Sequence, residues 1–296
     1  MKFGLFGFGF DKADQGWFNE FLLLLKSRGH SIYLYKGLLS SLNSSHSKSD
    51  FPVLDSVDDV IEGELDMLIS LGGDGTMLRA VSYSYAANVP IMGINLGRLG
   101  FLASVEKRNV DKALSCLESG DYLVQNRSLI KLHSNSDGLF YPSPVALNDF
   151  TVAKRDTSSM ITVHTFINGD FFNTYWADGL IISTPTGSTG YSLSCGGPIV
   201  SPGSGNLIIT PIAPHNLNVR PVVIPDSAVI ELKPEGRTNN FLCSLDSRYQ
   251  GVSSSTSLVI KKSKQYARIV VLGDYSFSEV LRQKLGWGID KRTNMP

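Results

Sequence analysis

The stretch DMLISLGGDGTMLRAVSYSYA, residues 66–86, combines a short apolar run, a glycine-rich loop and an apolar pattern with helical spacing. The run 66–71 suits a buried strand, and the pattern in 75–86 suits a helix. A strand that passes through a tight glycine loop into a helix is typical of α/β folds. The stretch therefore predicts an α/β domain built on a parallel sheet.

Short apolar runs on either side of this stretch predict further strands of the same sheet. They are KFGLFGF (2–8), SIYLY (31–35) and PIMGIN (90–95). Between the first two, apolar residues recur at spacings of three and four, which predicts a helix that Asp14 caps and that ends near Arg28. The serine-rich segment 37–50 predicts a solvated loop. We expect a Rossmann-like α/β domain over residues 1–105.

The sequence changes character after this first domain. Past a helix near 109–119, short runs of alternating apolar and polar residues follow one another, separated by Gly, Pro, Asn and Asp. INGDF (167–171) is a typical hairpin turn between two of them. We therefore predict an antiparallel, β-sandwich-like domain over 106–274. An amphipathic helix at 277–287 closes the chain, and we expect residues 275–296 to pack back on the first domain.

The composition is that of an ordinary globular protein of about two domains. The 296 residues are 42% hydrophobic and 18% charged, and Lys plus Arg equals Asp plus Glu at 27 each. Without net charge, the chain has no overall field to attract nucleic acid or an anionic membrane. Its three cysteines and five histidines show no disulfide or metal-ligand spacing. The start is a poor signal peptide and no apolar run approaches the roughly 18 residues of a membrane span, so we expect a cytoplasmic protein.

The loop GGDGT (72–76) has the features of an anion-binding site with one acid placed in it. Its three glycines would let backbone N–H groups approach a phosphate at the start of a helix, where the helix dipole also favours an anion. These glycines are Gly72, Gly73 and Gly75. Arg79, one turn further, would either reach the same phosphate or lie exposed on the helix.

Asp74 has two interpretations. As a helix N-cap it would accept a bond from the first backbone N–H groups, a common role for aspartate. As a functional acid it would take a proton from a hydroxyl group, or hold a metal ion next to phosphates. Only the second interpretation also accounts for the glycines around Asp74, and we adopt it as the hypothesis.

A second loop, PTGSTGYS (185–192), follows the apolar run LIIST and is rich in hydroxyl groups. It can present many hydrogen-bond donors to a polar ligand, and Tyr191 can stack on a base. Without a ligand it would be a tight turn from a strand to a helix. The density of donors, with Asp178 one strand upstream, favours a binding loop.

Two shorter segments offer further contacts. In ALNDF (146–150), Asn148 and Asp149 place an amide beside a carboxylate, a pair suited to an adenine edge and a ribose hydroxyl. An Asx turn explains the same two residues equally well. In INLGRLGFLA (94–103), Phe101 belongs either to the core or to the wall of a pocket.

Taken together, these segments resemble one family. The NAD kinases carry similar motifs in the same order as GGDGT (72–76), GINLGRLGFL (93–102), ND (148–149), DGLIISTPTGSTGYSLSCGGPI (178–199) and CSLDS (243–247). Loops similar to GGDGT also occur in diacylglycerol and sphingosine kinases and in phosphofructokinases. STPTGSTGYSLS together with GINLGRLGFL is specific to the NAD kinases.

The resemblance implies a fold and a reaction. NAD kinases have an N-terminal α/β domain and a C-terminal β-sandwich-like domain, form homodimers or homotetramers, and phosphorylate the 2′-hydroxyl of the adenosine ribose of NAD. The donor is ATP, or inorganic polyphosphate in some members, and a divalent metal (Mg²⁺ or Mn²⁺) is required. Its ligands in this chain are unknown from the sequence. Donor preference, acceptance of NADH and oligomer size also stay open.

The resemblance further implies roles for single residues. Asp74 would be the general base and Gly75 an adjacent backbone contact. Asn148 and Asp149 would hold the adenosine portion, and Asp178 would contact the nicotinamide end. The other residues expected to contact the nucleotides are Gly72, Gly73, Thr76, Arg79, Phe101, Thr189, Gly190, Tyr191, Ser192, Leu193, Ser194, Ala213, Asp246 and Arg248.

Three positions depart from the family pattern. Asp149 replaces the usual Glu and is shorter by one methylene, which changes the reach of its carboxylate. Trp176 stands where many bacterial relatives carry a basic residue, two positions before Asp178. Arg248 stands where relatives often have Gln, and it can add a contact with phosphate.

Two other functions are compatible with parts of the sequence. A lipid kinase of the diacylglycerol or sphingosine type shares GGDGT and the two-domain plan, but it would need an apolar cleft where residues 184–194 are polar. A non-catalytic dinucleotide sensor would share the fold, but the presence of Asp74 favours an enzyme.

Overall fold

The structure, a computed structural model, describes residues 1–43, 46–97, 100–103, 105–136, 138–155, 159–273 and 276–287. The strands in these ranges are β1 Lys2–Phe6, β2 Ser31–Tyr35, β3 Val53–Leu54, β4 Met67–Leu71, β5 Ile91–Asn95, β6 Val105–Glu106, β7 Leu123–His133, β8 Val145–Ala146, β9 Asp149–Lys154, β10 Ile161–Ile167, β11 Asp170–Ala177, β12 Gly179–Ser183, β13 Asn206–Ile212, β14 Val222–Pro225, β15 Ile230–Glu235, β16 Asn240–Leu245, β17 Arg248–Ser253 and β18 Leu258–Val271. The α-helices are α1 Lys12–Ser27, α2 Val57–Glu62, α3 Asp74–Ala87, α4 Val110–Ser119, α5 Tyr191–Ser194 and α6 Phe277–Leu285. Short 3₁₀-helices cover Lys36–Ser41, Lys48–Asp50, Lys107–Asn109 and Thr186–Thr189.

The N-terminal part of the larger sheet is parallel, with the strand order β5-β4-β1-β2-β3. Residues of α1 and α4 pack on one of its faces, and residues of α2 and α3 pack on the other. All five residues of β4 are buried, as expected for a strand that is covered on both faces. This arrangement confirms the predicted Rossmann-like α/β fold.

One long strand, β18, continues this parallel sheet into an antiparallel one. It pairs parallel with β5 through Ile269 and Ile91, and antiparallel with β7 and β15. The sheet order then runs on from β18 through β15 and β10 to β11. The two parts of the chain therefore share one sheet, a feature that we did not predict. The domain boundary between residues 105 and 106 stays a prediction.

A smaller, antiparallel sheet has the order β14-β13-β12-β9-β16-β17. It packs against the antiparallel part of the larger sheet, because their side chains share one core. Val163 and Tyr175 from the larger sheet lie in that core with Phe150 and Ile182 from the smaller one. Two sheets with a common apolar core form the predicted β-sandwich-like arrangement.

Several local predictions were wrong. Asp11, and not Asp14, caps α1, because Asp11 Oδ1 accepts a bond from the N–H of Asp14 at 2.9 Å. The segment 37–50 is not simply a solvated loop, because it contains 3₁₀-helical turns and Leu38 is fully buried in the core. The prediction rested on the high serine content of the segment, and composition does not show which residues tertiary contacts will bury.

The chain closes with α6, which Ser276 caps through a bond from the N–H of Glu279. Leu281 is its buried residue, and Phe277 lines a cavity with residues 125–127 and 201–203. Packing of 275–296 on the first domain stays a prediction, and residues 274–275 and 288–296 lie outside the described residues. Nowhere in the described ranges does a helix reach the length and apolar content that a membrane crossing requires.

Candidate active site

Asp74 is the first residue of α3, at the end of the loop that follows β4. The residue that caps this helix is Gly73, which has no side chain for a capping bond. The carboxylate of Asp74 turns instead to another loop and accepts three of its backbone N–H groups. The donors are Phe101 at 2.7 Å, Leu102 at 3.0 Å and Ala103 at 3.2 Å. The N-cap interpretation of Asp74 was therefore wrong.

The loop can lie on the acid because residue 100 is a glycine. A β-carbon at Gly100 would overlap the carboxylate of Asp74. A carboxylate offers about four lone-pair positions, and the backbone of 101–103 uses three of them. Asp74 is thus held in one orientation and keeps room for one more hydrogen bond. The ring of Phe101 is half-buried, and its assignment to core or pocket wall stays a prediction.

The glycines of the loop have different reasons to be there. Gly72 has φ of 151°, in the region that favours glycine, and a β-carbon there would overlap Thr76. Gly73 and Gly75 are exposed, and a β-carbon on either would meet no protein atom within 4 Å. Packing thus requires a glycine only at Gly72. At Gly73 and Gly75 the missing side chains leave free space beside Asp74.

Arg79 lies one turn further along α3 and is exposed. Its guanidinium carbon is 4.8 Å from the ring centroid of Phe8, a residue that follows β1. A cation held over an aromatic ring in this way is partly oriented. In the part of the chain that the structure describes, Arg79 forms no ion pair with a carboxylate. Its charge is therefore available to an anion on this side of the helix.

A cavity of about 420 Å³ opens between α3 and the smaller sheet. It is lined by Leu78, Asn148, Asp149, Thr151, Ala153, Tyr191, Leu242, Ser244, Asp246, Ser247 and Tyr249. Leu78 is four residues after Asp74, so the two share one face of α3. The cavity thus reaches the helix one turn from the acid.

Four predicted site residues lie together in this cavity, namely Asn148, Asp149, Tyr191 and Asp246. The sequence reasoning missed the other seven lining residues. Every second residue of a strand lies on the same face, and this alternation could have found several of them. Thr151 and Ala153 share a face of β9 with Asp149. Leu242 and Ser244 likewise share a face of β16. Helical spacing from Asp74 could have found Leu78.

The second predicted loop packs directly on the backbone of Asn148. Thr184 donates its N–H to Asn148 O at 2.9 Å, and its hydroxyl accepts the N–H of Gly187 at 3.1 Å. A β-carbon at Gly187 would overlap the backbone of Asn148. The side-chain oxygen of Asn148 is buried and has no hydrogen-bond partner. Such an acceptor is costly unless a ligand supplies a donor.

The other residues predicted from this loop have varied surroundings. Tyr191 is 48% exposed and lines the cavity, whereas the Ser192 hydroxyl is buried and bonds Thr210 at 2.8 Å. The Thr189 hydroxyl bonds a carbonyl of its own turn at 3.2 Å. Gly190 and Leu193 are half-buried, and Ser194 is exposed. Only Tyr191 of these six lines the cavity.

Asp178 and Ala213 lie next to each other but outside the cavity wall. Asp178 donates its N–H to Ile212 O at 2.9 Å, which brings it beside Ala213. Its carboxylate forms an ion pair with Lys154 at 2.7 Å. Ala213 has φ of 43°, an uncommon value for a residue with a β-carbon. Contacts of both residues with a dinucleotide stay predictions.

Asp149 and Asp246 form a buried pair of acids in the cavity. Burial raises the pKa of Asp149 to about 7, and the negative charge of Asp246 adds to this effect. Burial also raises the pKa of Asp246, but bonds from three backbone N–H groups and the charge of Arg248 oppose the shift. Among the described residues, no backbone N–H donates to the Asp149 carboxylate, which accepts a bond from the Thr151 hydroxyl at 3.4 Å. Asp149 is therefore the member of the pair that holds a proton near neutral pH.

Arg248 is turned away from the cavity. Its Nη1 donates to Phe140 O at 3.1 Å and to Ser143 O at 2.6 Å, and its Nη2 donates to Val145 O. Both terminal nitrogens are thus bound to the protein backbone. The structure does not test the contact with a phosphate that we expected for Arg248, and it shows these carbonyl contacts instead.

The raised pKa of Asp149 predicts that protein stability depends on pH. Between its ordinary pKa of 3.8 and about 7, the folded chain binds this proton while the unfolded chain releases it. The free energy of unfolding should therefore fall as pH rises through this window. Asp149→Asn should remove this fall, so the variant should gain stability relative to the wild type between pH 5 and pH 8. Urea unfolding of both proteins at several pH values measures the difference, and parallel pH profiles would contradict the prediction.

The described ranges contain no group of three or more His, Cys, Asp or Glu side chains that could hold a metal ion. The divalent metal therefore stays a prediction, and no ligand set for it is found among the described residues. Mg²⁺ often binds through one or two carboxylates together with substrate phosphates.

Two protein-family models match the chain. The ATP-NAD kinase N-terminal domain matches residues 24–122, and the ATP-NAD kinase C-terminal domain matches residues 147–272. Among curated relatives, the NAD kinase of Cytophaga hutchinsonii is 53% identical over 230 residues, which cover 78% of each chain. The NAD kinase of Flavobacterium johnsoniae is 42% identical over 294 residues, which cover 99% of this chain and 100% of the relative.

Solved structures of similar proteins show the same fold. Yeast NADH kinase complexed with NADH superposes with a TM-score of 0.86 at 22% identity, over 100% of this chain and 90% of the yeast chain. An NAD kinase from Archaeoglobus fulgidus in complex with ATP gives a TM-score of 0.74 at 25% identity, over 97% and 99% of the two chains. The family models and the full-length relatives together show that the chain belongs to the NAD kinase family.

Proposed function

We propose that this chain transfers the γ-phosphate of ATP to the 2′-hydroxyl of the adenosine ribose of NAD, which gives NADP, with Asp74 as the general base. Membership of the NAD kinase family supports the reaction, and the comparisons support neither the lipid kinase nor the sensor. The position of Asp74 one turn from a cavity that holds Asn148, Asp149 and Tyr191 supports the role of the acid.

The chemical step needs a base because a ribose hydroxyl is a poor nucleophile. As the 2′-oxygen attacks the γ-phosphorus, its proton passes to the Asp74 carboxylate. The bond between the γ-phosphorus and the oxygen bridging to the β-phosphate breaks, and ADP leaves. The remaining acceptor position of Asp74 is the one that the hydroxyl occupies before attack. Most of the catalysis comes from holding donor and acceptor in line.

The donor and the acceptor approach Asp74 from different sides. The open space at Gly73 and Gly75 lies at the N-terminus of α3, where backbone N–H groups and the helix dipole favour phosphate. Arg79 adds a positive charge on that side. The acceptor lies in the cavity, where the free oxygen of Asn148 accepts a bond from the adenine amino group and Tyr191 stacks on a ring.

Several finer expectations accompany this proposal. The protonated Asp149 donates a hydrogen bond to the adenosine portion, and Asp178 and residues 189–194 contact the rest of the dinucleotide. A divalent metal, bound mainly by substrate phosphates, neutralises their charge. We also expect a cytoplasmic homodimer or homotetramer. The contacts, the metal and the oligomer follow from the resemblance to the family, the proton on Asp149 from its raised pKa, and the location from the sequence.

The decisive experiment measures NADP formation from NAD and ATP with Mg²⁺. Parallel reactions replace ATP by polyphosphate, NAD by NADH, and NAD by diacylglycerol or sphingosine. We expect NADP from NAD and ATP and no phosphorylated lipid. Phosphate transfer to a lipid alone would favour the lipid kinase, and tight NAD binding without any NADP would favour the sensor.

Gly75→Ala tests whether the open space beside Asp74 belongs to the donor. The new methyl group meets no protein atom, and alanine in a helix is about 0.5–1 kcal/mol more favourable than glycine. We therefore expect an equal or higher free energy of unfolding. If the donor phosphate occupies this space, the methyl group keeps it from the backbone N–H groups. Since a charge-assisted hydrogen bond is worth about 1.5–3 kcal/mol, kcat/KM for ATP should fall by about 10-fold or more.

The matched control is Gly16→Ala, in helix α1, where a β-carbon also meets no protein atom. Like Gly75→Ala, it should have a free energy of unfolding equal to or higher than that of the wild type, but its kcat/KM for ATP should be unchanged. Equal kcat/KM in Gly75→Ala and the wild type would contradict the placement of the donor.

A further inference from the structure

Three polar side chains spaced two residues apart, Asp246, Arg248 and Gln250, bond to the backbone of one segment. This segment, residues 140–149, we call the strap. The Asp246 carboxylate accepts the N–H groups of Leu147 at 2.9 Å, Asn148 at 2.8 Å and Asp149 at 3.2 Å. Gln250 Oε1 accepts the N–H of Phe140 at 2.9 Å. Together with the three bonds from Arg248, these contacts hold the strap along much of its length.

The strap connects the two sides of the proposed active site. Its Ser143 hydroxyl donates to Ser82 O at 3.0 Å, on the helix that begins at Asp74. Its last two residues, Asn148 and Asp149, line the cavity. A shift of the strap would therefore move the cavity residues relative to the helix of the catalytic acid.

Arg248 is the central member of this set. It binds the strap at Phe140, Ser143 and Val145, all through carbonyl oxygens and none through a side chain. A guanidinium can donate hydrogen bonds to three carbonyls at once because its N–H groups form a rigid planar fork. A lysine ammonium is instead a compact charge on a flexible side chain. The arrangement uses the shape of arginine rather than its charge alone.

We propose that Arg248 is a positioning residue for NAD phosphorylation, which fixes the strap and through it Asn148 and Asp149, and that it does not contact a substrate phosphate. The proposal rests on the proposed function for its effect on catalysis. The effect of Arg248 on the affinity for ligands depends only on the cavity residues Asn148 and Asp149, and it is tested separately.

The test compares binding of NAD with binding of adenosine, which has no phosphate. If Arg248 positions the strap, Arg248→Met weakens both ligands by the same factor, because both use Asn148 and Asp149. Arg248→Lys fails to restore either affinity, because it keeps the charge but not the fork. We expect kcat/KM for NAD to fall by about 100-fold in both variants, the scale that a misplacement of about 1 Å can cost.

A direct phosphate contact would give a different pattern. Arg248→Met would then lose affinity for NAD while adenosine binding stayed unchanged, and Arg248→Lys would recover much of the loss. Either result overturns the proposal. If the wild type binds both ligands but forms no NADP, the proposed function fails while the comparison of affinities still decides the role of Arg248.

Arg220→Met is the matched control, because Arg220 also donates to two backbone carbonyls, at 2.6 and 2.9 Å, but on an exposed loop. It should leave both affinities unchanged.

Hydrogen exchange of the Leu147, Asn148 and Asp149 amides gives a readout without ligand, and faster exchange in Arg248→Met is expected. If that variant does not fold, Gln250→Leu removes one bond to the strap and should give a smaller, equal loss for both ligands. Unchanged exchange and unchanged binding in the folded variants would refute the proposal.

Discussion

Asp74→Asn is expected to lower kcat by about two to four orders of magnitude, which is what loss of a general base typically costs. Its affinity for NAD should stay close to that of the wild type, because the cavity residues are untouched. An amide at this position has the shape of the carboxylate but cannot take the proton of the ribose hydroxyl. The measurements are steady-state rates of NADP formation and calorimetric binding of NAD.

The same substitution also disturbs the loop that rests on Asp74. The asparagine amide has one acceptor oxygen, whereas the carboxylate accepts three N–H groups from residues 101–103 with its two oxygens. Some loss of stability is therefore expected along with the loss of rate. Asp59→Asn provides the matched control, because the Asp59 carboxylate accepts the N–H groups of Asp55 and Ser56 at the start of α2.

The control separates chemistry from structure. Asp59→Asn should lose stability, because it turns charge-assisted bonds from Asp55 and Ser56 into neutral ones and removes a negative charge from the start of α2. It should retain kcat. Near-wild-type turnover in Asp74→Asn would exclude a general-base role. An equal loss of kcat in both variants would assign the effect to stability.

Gly187→Ala is expected to abolish measurable NAD binding, or to lower the affinity by about 100-fold or more. The added β-carbon would overlap the backbone of Asn148, and backbone cannot turn aside as the end of a flexible side chain can. The loop from Thr184 to Gly190 must then move away from Asn148, which breaks the bond between Thr184 N and Asn148 O. Overpacking of this kind commonly costs about 1–3 kcal/mol of stability.

Titration calorimetry with NAD measures this effect, and circular dichroism checks that the variant is folded. The Gly16→Ala protein serves again as the control for an added methyl group. A folded Gly187→Ala protein with wild-type affinity would show that the contact between this loop and Asn148 does not shape the cavity.

The parts of the fold that were predicted correctly are those that short sequence patterns decide. β4, its glycine loop and α3 follow one another within 21 residues, and the hairpin between β10 and β11 is decided by the turn at Asn168 and Gly169. Local propensity and turn chemistry suffice for such elements. The specific motifs also led to the correct family, because they are spread over nearly the whole chain.

The contacts that complete the site were beyond this kind of reasoning. Asp74 meets N–H donors 27 to 29 residues away, and Asp246 meets donors 97 to 99 residues away. Neither pairing leaves a periodic signal in the sequence. Because its distant partners could not be seen in the sequence, Asp74 was open to interpretation as an N-cap, although the residue that caps α3 is Gly73. Arg248 could be identified as unusual, but only its three carbonyl partners show where it points.

The long strand β18 has a consequence for how the chain is made. β5 gains its neighbours on one edge from the two-residue strand β6 and from β18, which is the last strand among the described residues. During synthesis from the N-terminus, the α/β part therefore emerges with most of that edge unpaired, and the edge stays unpaired until β18 has left the ribosome. An open edge of a buried, apolar strand is a site for pairing with other chains. The α/β part thus depends on β18 to complete its sheet, although its own residues are synthesised long before.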